Sequence, residues 1–119
     1  MPGLGFQQIR RANCSACKDF SLLVDEAAFG KSRDWLFDAL HKENIDVRRY
    51  FWPPVHRQKL FSASWDKRPL PVTDKISESI LNLPIYSSLA DQDVERVCDA
   101  ICRVSKFANR NRNAKAQGA

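Results

Sequence analysis

Long apolar runs are missing from this sequence: none approaches the ~20 residues that a membrane-crossing helix requires. The opening Met1-Pro2-Gly3-Leu4-Gly5-Phe6 also lacks the basic segment followed by an apolar one that marks a secretory leader. The expected setting is therefore cytoplasmic, with no membrane partner. Glycine is scarce, at four residues in 119, and no glycine-rich phosphate cradle is present. With 44% hydrophobic and 28% charged residues the composition is that of a folded chain, and its length suits one domain. Acidic residues are absent from the last fourteen positions, which hold Lys106, Arg110, Arg112 and Lys115. The net charge of +5 thus belongs mostly to that tail, and the rest of the chain is close to neutral. Nucleic-acid binding would rest on the tail alone and is not expected. No internal repeat is visible.

What is present is concentrated near the midpoint. Val47 to Gln58 reads V-R-R-Y-F-W-P-P-V-H-R-Q. Val47, Tyr50, Phe51 and Trp52 fit a pleated, half-buried surface, so this stretch is expected to begin as a strand. Pro53 and Pro54 then remove two backbone donors in succession and end it. An exposed corner follows, presenting His56, Arg57 and Gln58 from a stiff backbone, and loops on rigid scaffolds are where binding groups tend to lie. The plainer reading of Tyr50, Phe51 and Trp52 is core or edge packing.

The cysteines are Cys14, Cys17, Cys98 and Cys102. Cys14 and Cys17 have the C-x-x-C spacing of redox couples and of half a zinc site, since two thiolates so placed converge on one atom. A redox pair wants a helix N-terminus beside it, and here Lys18-Asp19-Phe20 leads into a strand. Cys98 and Cys102 share one helical face; they could complete a four-thiolate site, but the simpler reading is two small apolar residues in a buried stripe.

Along the chain, a short extended piece is expected around Phe6 to Ile9. Lys18 to Asp25 alternates, with Phe20, Leu22 and Val24 on one side and Asp19, Ser21 and Asp25 on the other. Ala27 to Lys31 reads as a turn. Ser32 is a plausible N-cap for a helix running to about Glu43, burying Leu36, Ala39 and Leu40 with Trp35 and Phe37 at the flanks, and Asn44 is its left-handed stop. Leu60 to Pro71 reads as a long surface loop. Thr73 to Glu78 reads as a helical turn capped by Thr73, and Ile80 to Tyr86 as a strand that Pro84 places at an edge or at its end. The last helix starts near Ala90 to Asp91, with Val94, Val97, Cys98, Ile101 and Cys102 as its apolar stripe. From Ala108 onward the sequence offers nothing to bury, so the expected division is a folded domain over 1–107 and a disordered basic tail over 108–119. A single small sheet with a few helices is the natural scale for such a domain.

K-D-F-S-L-L-V-D at 18–25, S-R-D-W-L at 32–36, N-I-D-V-R-R-Y-F-W-P-P-V-H-R-Q at 44–58, L-N-L-P-I-Y at 81–86 and D-V-E-R-V at 93–97 together resemble a known family. It is the C-terminal small domain of the DegT/DnrJ/StrS-type aminotransferases, pyridoxal-phosphate enzymes that transaminate nucleotide-linked keto-sugars. Met1-Pro2-Gly3-Leu4-Gly5-Phe6-Gln7-Gln8-Ile9 resembles the run that opens this domain. Cys14, Cys17 and Ala90 depart from the family pattern without touching the fold.

The resemblance implies an α+β fold class, a two-layer arrangement of a small, mostly antiparallel sheet with helices packed on one face as in the C-terminal domain of fold-type I aminotransferases. It also implies a detached or truncated small domain that forms one wall of a nucleotide-sugar pocket. The cofactor lysine, the acid facing the pyridine nitrogen and the phosphate donors belong to the family's large domain. None of Lys18, Lys31, Lys42, Lys59, Lys67, Lys75, Lys106 or Lys115 stands in a similar context. The expectation is therefore no catalytic residue, no pyridoxal phosphate bound by this chain alone and no metal, with a large-domain chain or a second copy as partner. The carried-over substrate residues are Arg48, Tyr50, His56 and Gln58. Arg48 could hold a diphosphate or carboxylate, and His56 could hydrogen-bond a sugar hydroxyl. Arg48 and Arg49 equally suit a solvated strand edge. The alternative function is a protein-interaction module on the same scaffold.

Overall fold

The computed structural model describes residues 1–16, 18–64 and 68–116. Three antiparallel strands, β1 (Leu4–Phe6), β2 (Phe20–Val24) and β3 (Ile80–Leu83), form a sheet in the order β1-β2-β3. Leu4 pairs with Val24, Phe6 and Leu81 both pair with Leu22, and Leu83 pairs with Phe20, so one face carries an apolar ladder. Leu22, Val24 and Leu81 are buried as the alternation requires. Phe20 is 48% exposed because it lies at the sheet's end, where its ring meets Phe6 at 5.7 Å. β1 starts two residues earlier than the extended piece expected at Phe6.

The stretch expected to turn after β2 is a short helix, α1 (Glu26–Phe29). Asp25 caps it, accepting from the amides of Ala27 and Ala28, and Gly30 closes it at φ 87°. Gly3 reaches the same corner. At φ 76° an added Cβ would lie 2.2 Å from the Phe29 nitrogen, so the approach of β1 to α1 requires glycine there.

Helix α2 (Arg33–Lys42) begins as its sequence implies, with Ser32 Oγ accepting from the Trp35 amide at 3.2 Å. Leu36 and Leu40 are completely buried, Ala39, Trp35 and Phe37 partly, and Asn44 takes φ 59° just beyond the end. The expected surface loop contains a helical turn, α3 (Lys59–Ser62), and α4 (Pro71–Ser79) starts two residues before Thr73. Pro71 at the first helical position supplies the start that a Thr73 cap was expected to give. β3 is an edge strand of the sheet and stops before Pro84.

Helix α5 (Asp91–Ala116) differs most from expectation. Its buried residues are Ala100, Ile101, Val104, Ser105 and Ala108, whereas Val94, Cys98 and Cys102 are exposed. The inward face is thus rotated by roughly 60° from the stripe that hydrophobicity marks, at about 100° per residue. Alanine decides the orientation: Ala100 and Ala108 let the helix backbone approach α1 and α2, and the flank is sealed by Phe107 stacked on Trp35 at 6.2 Å. The helix also continues past the expected boundary, and Ala108, placed by its sequence in a tail with nothing to bury, is fully buried.

The core is completed by Phe29, Ile45 and Val47. Among the described residues no helix is long and apolar enough to cross a membrane.

Candidate functional site

Val47 to Trp52 does not form the expected strand. Its only sheet-like pairing is one bridge, in which Arg48 and Asn82 exchange backbone hydrogen bonds of 3.0 and 2.7 Å beside β3. The segment then turns, with the Trp52 amide donating to Arg49 at 3.0 Å, and the double proline leads into a 3-10 turn over Val55–Arg57. β-Branched and aromatic residues favour a pleat, but the prolines leave too few donors to extend the ladder.

Arg48 and Tyr50 come together, because both line a pocket of about 260 Å³ with Lys18, Asp19, Asp46 and Tyr86. Each cation there has a neighbouring acid. Arg48 holds Asp46 through two nitrogens, the shorter contact being 2.7 Å, and Lys18 donates to Asp19 at 2.9 Å. The hydrogen bond from Arg48 keeps the Asp46 carboxyl below the usual carboxylate range, and the one from Lys18 to Asp19 raises the ammonium. Both partners of the Arg48–Asp46 pair are more than half exposed, so water screens the attraction and an incoming phosphate could displace Asp46 from the guanidinium.

His56 and Gln58 do not line that pocket. His56 is tied to α4: its Nε2 lies 2.9 Å from Asp74 Oδ1, with 11% of the side chain exposed. A carboxylate only accepts, so Nε2 carries the proton in this contact. Arg57 reaches the same oxygen at 2.8 Å and Glu78 at 3.5 Å. Gln58 donates from Nε2 to the Pro53 carbonyl at 3.3 Å, closing the corner on itself. The four carried-over residues therefore form two groups on either side of the double proline.

Arg33 is the residue that sequence reasoning passed over. It is 3% exposed, and its guanidinium donates to the carbonyls of Ser77 and Ile80 at 3.1 and 2.9 Å and to Asp34 at 2.9 Å. Trp52 covers it at 5.4 Å. Burial pulls this guanidinium below its usual range, opposed by the charge of Asp34. Asp34 also receives Arg49 at 2.9 Å, whose guanidinium lies 4.1 Å from the Phe37 ring centroid. Arg33 thus joins the start of α2 to the end of α4 beneath the aromatic corner. The Ser32-Arg33-Asp34 run shows a helix start, but nothing in it shows that the cation turns inward toward residues more than forty positions away.

Beside this corner lies an apolar pocket of about 370 Å³, lined by Tyr50, Phe51, Pro54, Val55, Val72 and Ile76 among others. Phe51 is 66% exposed, Val55 57% and Val72 74%. Among the described residues no group of three or more His, Cys, Asp or Glu side chains is placed to hold a metal. Cys14, Cys98 and Cys102 are free, exposed thiols, which corrects the reading of the last two as stripe residues, and Cys17 lies outside the described residues.

The model of the DegT/DnrJ/EryC1/StrS aminotransferase family matches residues 3–102. A dTDP-4-amino-4,6-dideoxy-D-glucose transaminase of Escherichia coli is 37% identical over 83 residues, covering 66% of this chain and 21% of its own length. The crystal structure of DesI in the presence of its TDP-sugar product superposes with a TM-score of 0.79 at 28% identity, over 98% of this chain and 29% of DesI. A DegT DnrJ EryC1 StrS aminotransferase from Brucella abortus gives 0.73 at 23% identity, over 87% and 26% of the two chains, a likeness of fold. The chain spans about a fifth of the curated relative and under a third of these structures.

Proposed function

The chain belongs to the DegT/DnrJ/EryC1/StrS aminotransferase family, and we propose that it serves as the small domain of a pyridoxal-phosphate-dependent nucleotide-sugar aminotransferase, catalytically incomplete without a large domain. The observation that carries this reading is the family match over residues 3–102 on a chain whose DesI superposition covers 98% of it and 29% of DesI. In this proposal Arg48 and Tyr50 face the phosphates or the sugar, and the His56–Gln58 corner shapes the adjoining wall. His56 then acts with its Nε2 proton committed to Asp74, which fixes the ring against α4.

The described residues do not fit the cofactor. An amine that condenses with an aldehyde is normally desolvated so that it loses its proton near neutral pH. Lys18 is exposed and raised by Asp19, Lys42, Lys59, Lys75 and Lys106 are exposed, and Lys31 lies over the Trp35 ring at 5.4 Å. No step is therefore assigned to this chain beyond binding and orienting the sugar nucleotide.

The test is reconstitution. The chain mixed with pyridoxal phosphate should develop no protein-bound aldimine absorption, and borohydride should trap no single lysine. Joined to a large domain of a close relative, it should transaminate a nucleotide-linked keto-sugar, and Arg48→Ala should then lower kcat/KM about tenfold or more, ~1.4 kcal/mol of transition-state binding. Turnover by the isolated chain would overturn the reading.

A second reading, a protein-interaction module, is favoured by the apolar side chains left uncovered at Phe51, Val55, Leu60 and Val72. Sedimentation at increasing concentration separates the two: a monomer throughout argues against association through this face.

A further inference from the structure

Cys98 and Cys102 take no part in the core or in the sugar wall, and their placement on α5 gives them a chemistry of their own. Both are exposed free thiols, four positions apart within a continuous helix, so they stand one above the other on one flank. Side chains at this spacing have Cβ atoms about 5–6 Å apart, whereas a disulfide needs roughly 3.8 Å. A direct S–S bond is thus too short for the helix, while a bridge with one atom inserted between the sulfurs spans the gap without unwinding it. Zinc is a poor occupant: its closed structural sites take four protein ligands, and no third His, Cys, Asp or Glu joins the pair among the described residues.

We propose that Cys98 and Cys102 form a dithiol site for a trivalent arsenic centre, the thiophilic class that is satisfied by two protein sulfurs and keeps a third, non-protein substituent. With an aryl arsenoxide the step balances without an oxidant. Two As–S bonds form, the As=O bond breaks, and the oxygen leaves as one water carrying both thiol protons, with arsenic trivalent throughout. Thiolate softness selects this centre over hard cations, and the exposure of both thiols gives it access. The inference is independent of the sugar-binding reading.

The experiment uses the full chain with Cys14→Ser and Cys17→Ser, which removes the C-x-x-C pair as a competitor. Phenylarsine oxide should add once per chain by intact mass, resist a large excess of glutathione and be released by a small dithiol such as dimercaptopropanol. Introducing Cys98→Ser or Cys102→Ser should each weaken capture by at least a hundredfold, with helix content by circular dichroism unchanged. Absence of the adduct, or an adduct equally stable with either cysteine replaced, overturns the proposal.

Discussion

The guanidinium of Arg33 donates to the Ile80 carbonyl at 2.9 Å, linking the first residue of α2 to the first residue of β3. The same fork holds Ser77 and Asp34, so one side chain satisfies acceptors from two separate parts of the chain around the proline corner. Arg33→Ala strands the buried Ser77 carbonyl and the partly buried Ile80 carbonyl and should cost about 2–4 kcal/mol of stability in urea unfolding. Arg33→Lys should recover less than half, because a single ammonium cannot reproduce the fork. A loss within error of zero would show that water replaces the guanidinium freely.

The contact of His56 with Asp74 should be measurable as a coupling. His56→Ala, Asp74→Ala and the double variant should give an interaction of about 1.5–3 kcal/mol, as for a hydrogen bond to a charged group in partly buried surroundings. Arg57 shares the Asp74 oxygen, so Asp74→Ala should be costlier than His56→Ala. Additive single effects would show that the corner does not rely on this link.

For Asp46 the expectation concerns pH. Its folded pKa is depressed by the hydrogen bond from Arg48, so the pair contributes stability above the ordinary carboxylate value, and that contribution is lost as pH falls through the lower folded value. Carbon NMR of the Asp46 carboxyl should place its midpoint below 3.8. Arg48→Ala should return it to the ordinary range. A midpoint insensitive to Arg48 would leave the phosphate-exchange argument without its starting state.

Ala108 tests where the folded part ends. It is completely buried, so Ala108→Leu should overpack the contact of α5 and cost about 1–3 kcal/mol, read as a lowered denaturation midpoint. Leu60→Ser, at a side chain 80% exposed, should stay within ~0.5 kcal/mol of the parent. Equal effects of the two would contradict the burial of Ala108.

Local chemistry made much of the architecture legible. Period-two alternation located β2, the Ser32 hydroxyl and Asn44 bounded α2, and Pro84 ended β3, because each signal acts within a few residues of itself. The segments quoted for the family resemblance lie within the matched residues 3–102 or superpose on the same fold. Local chemistry failed where the decisive partner was distant. The strand expected at Val47 to Trp52 shrank to one bridge, since pairing depends on what Asn82 offers and on the donors that Pro53 and Pro54 withhold.

By itself, then, the sequence determined β2, α2, β3 and the start of α5, and their order, through periodicity, caps and breakers that need no tertiary partner, while the quoted segments carried the family resemblance. Tertiary structure alone decided which face of α5 turns inward, that Arg33 is a buried junction, and that Arg48 and His56 stand in different surroundings. The physical reason is that burial and ion pairing depend on distances between residues far apart in the chain. Alanines that allow close approach, and carbonyls that accept a guanidinium, carry no mark of it in their own neighbourhood.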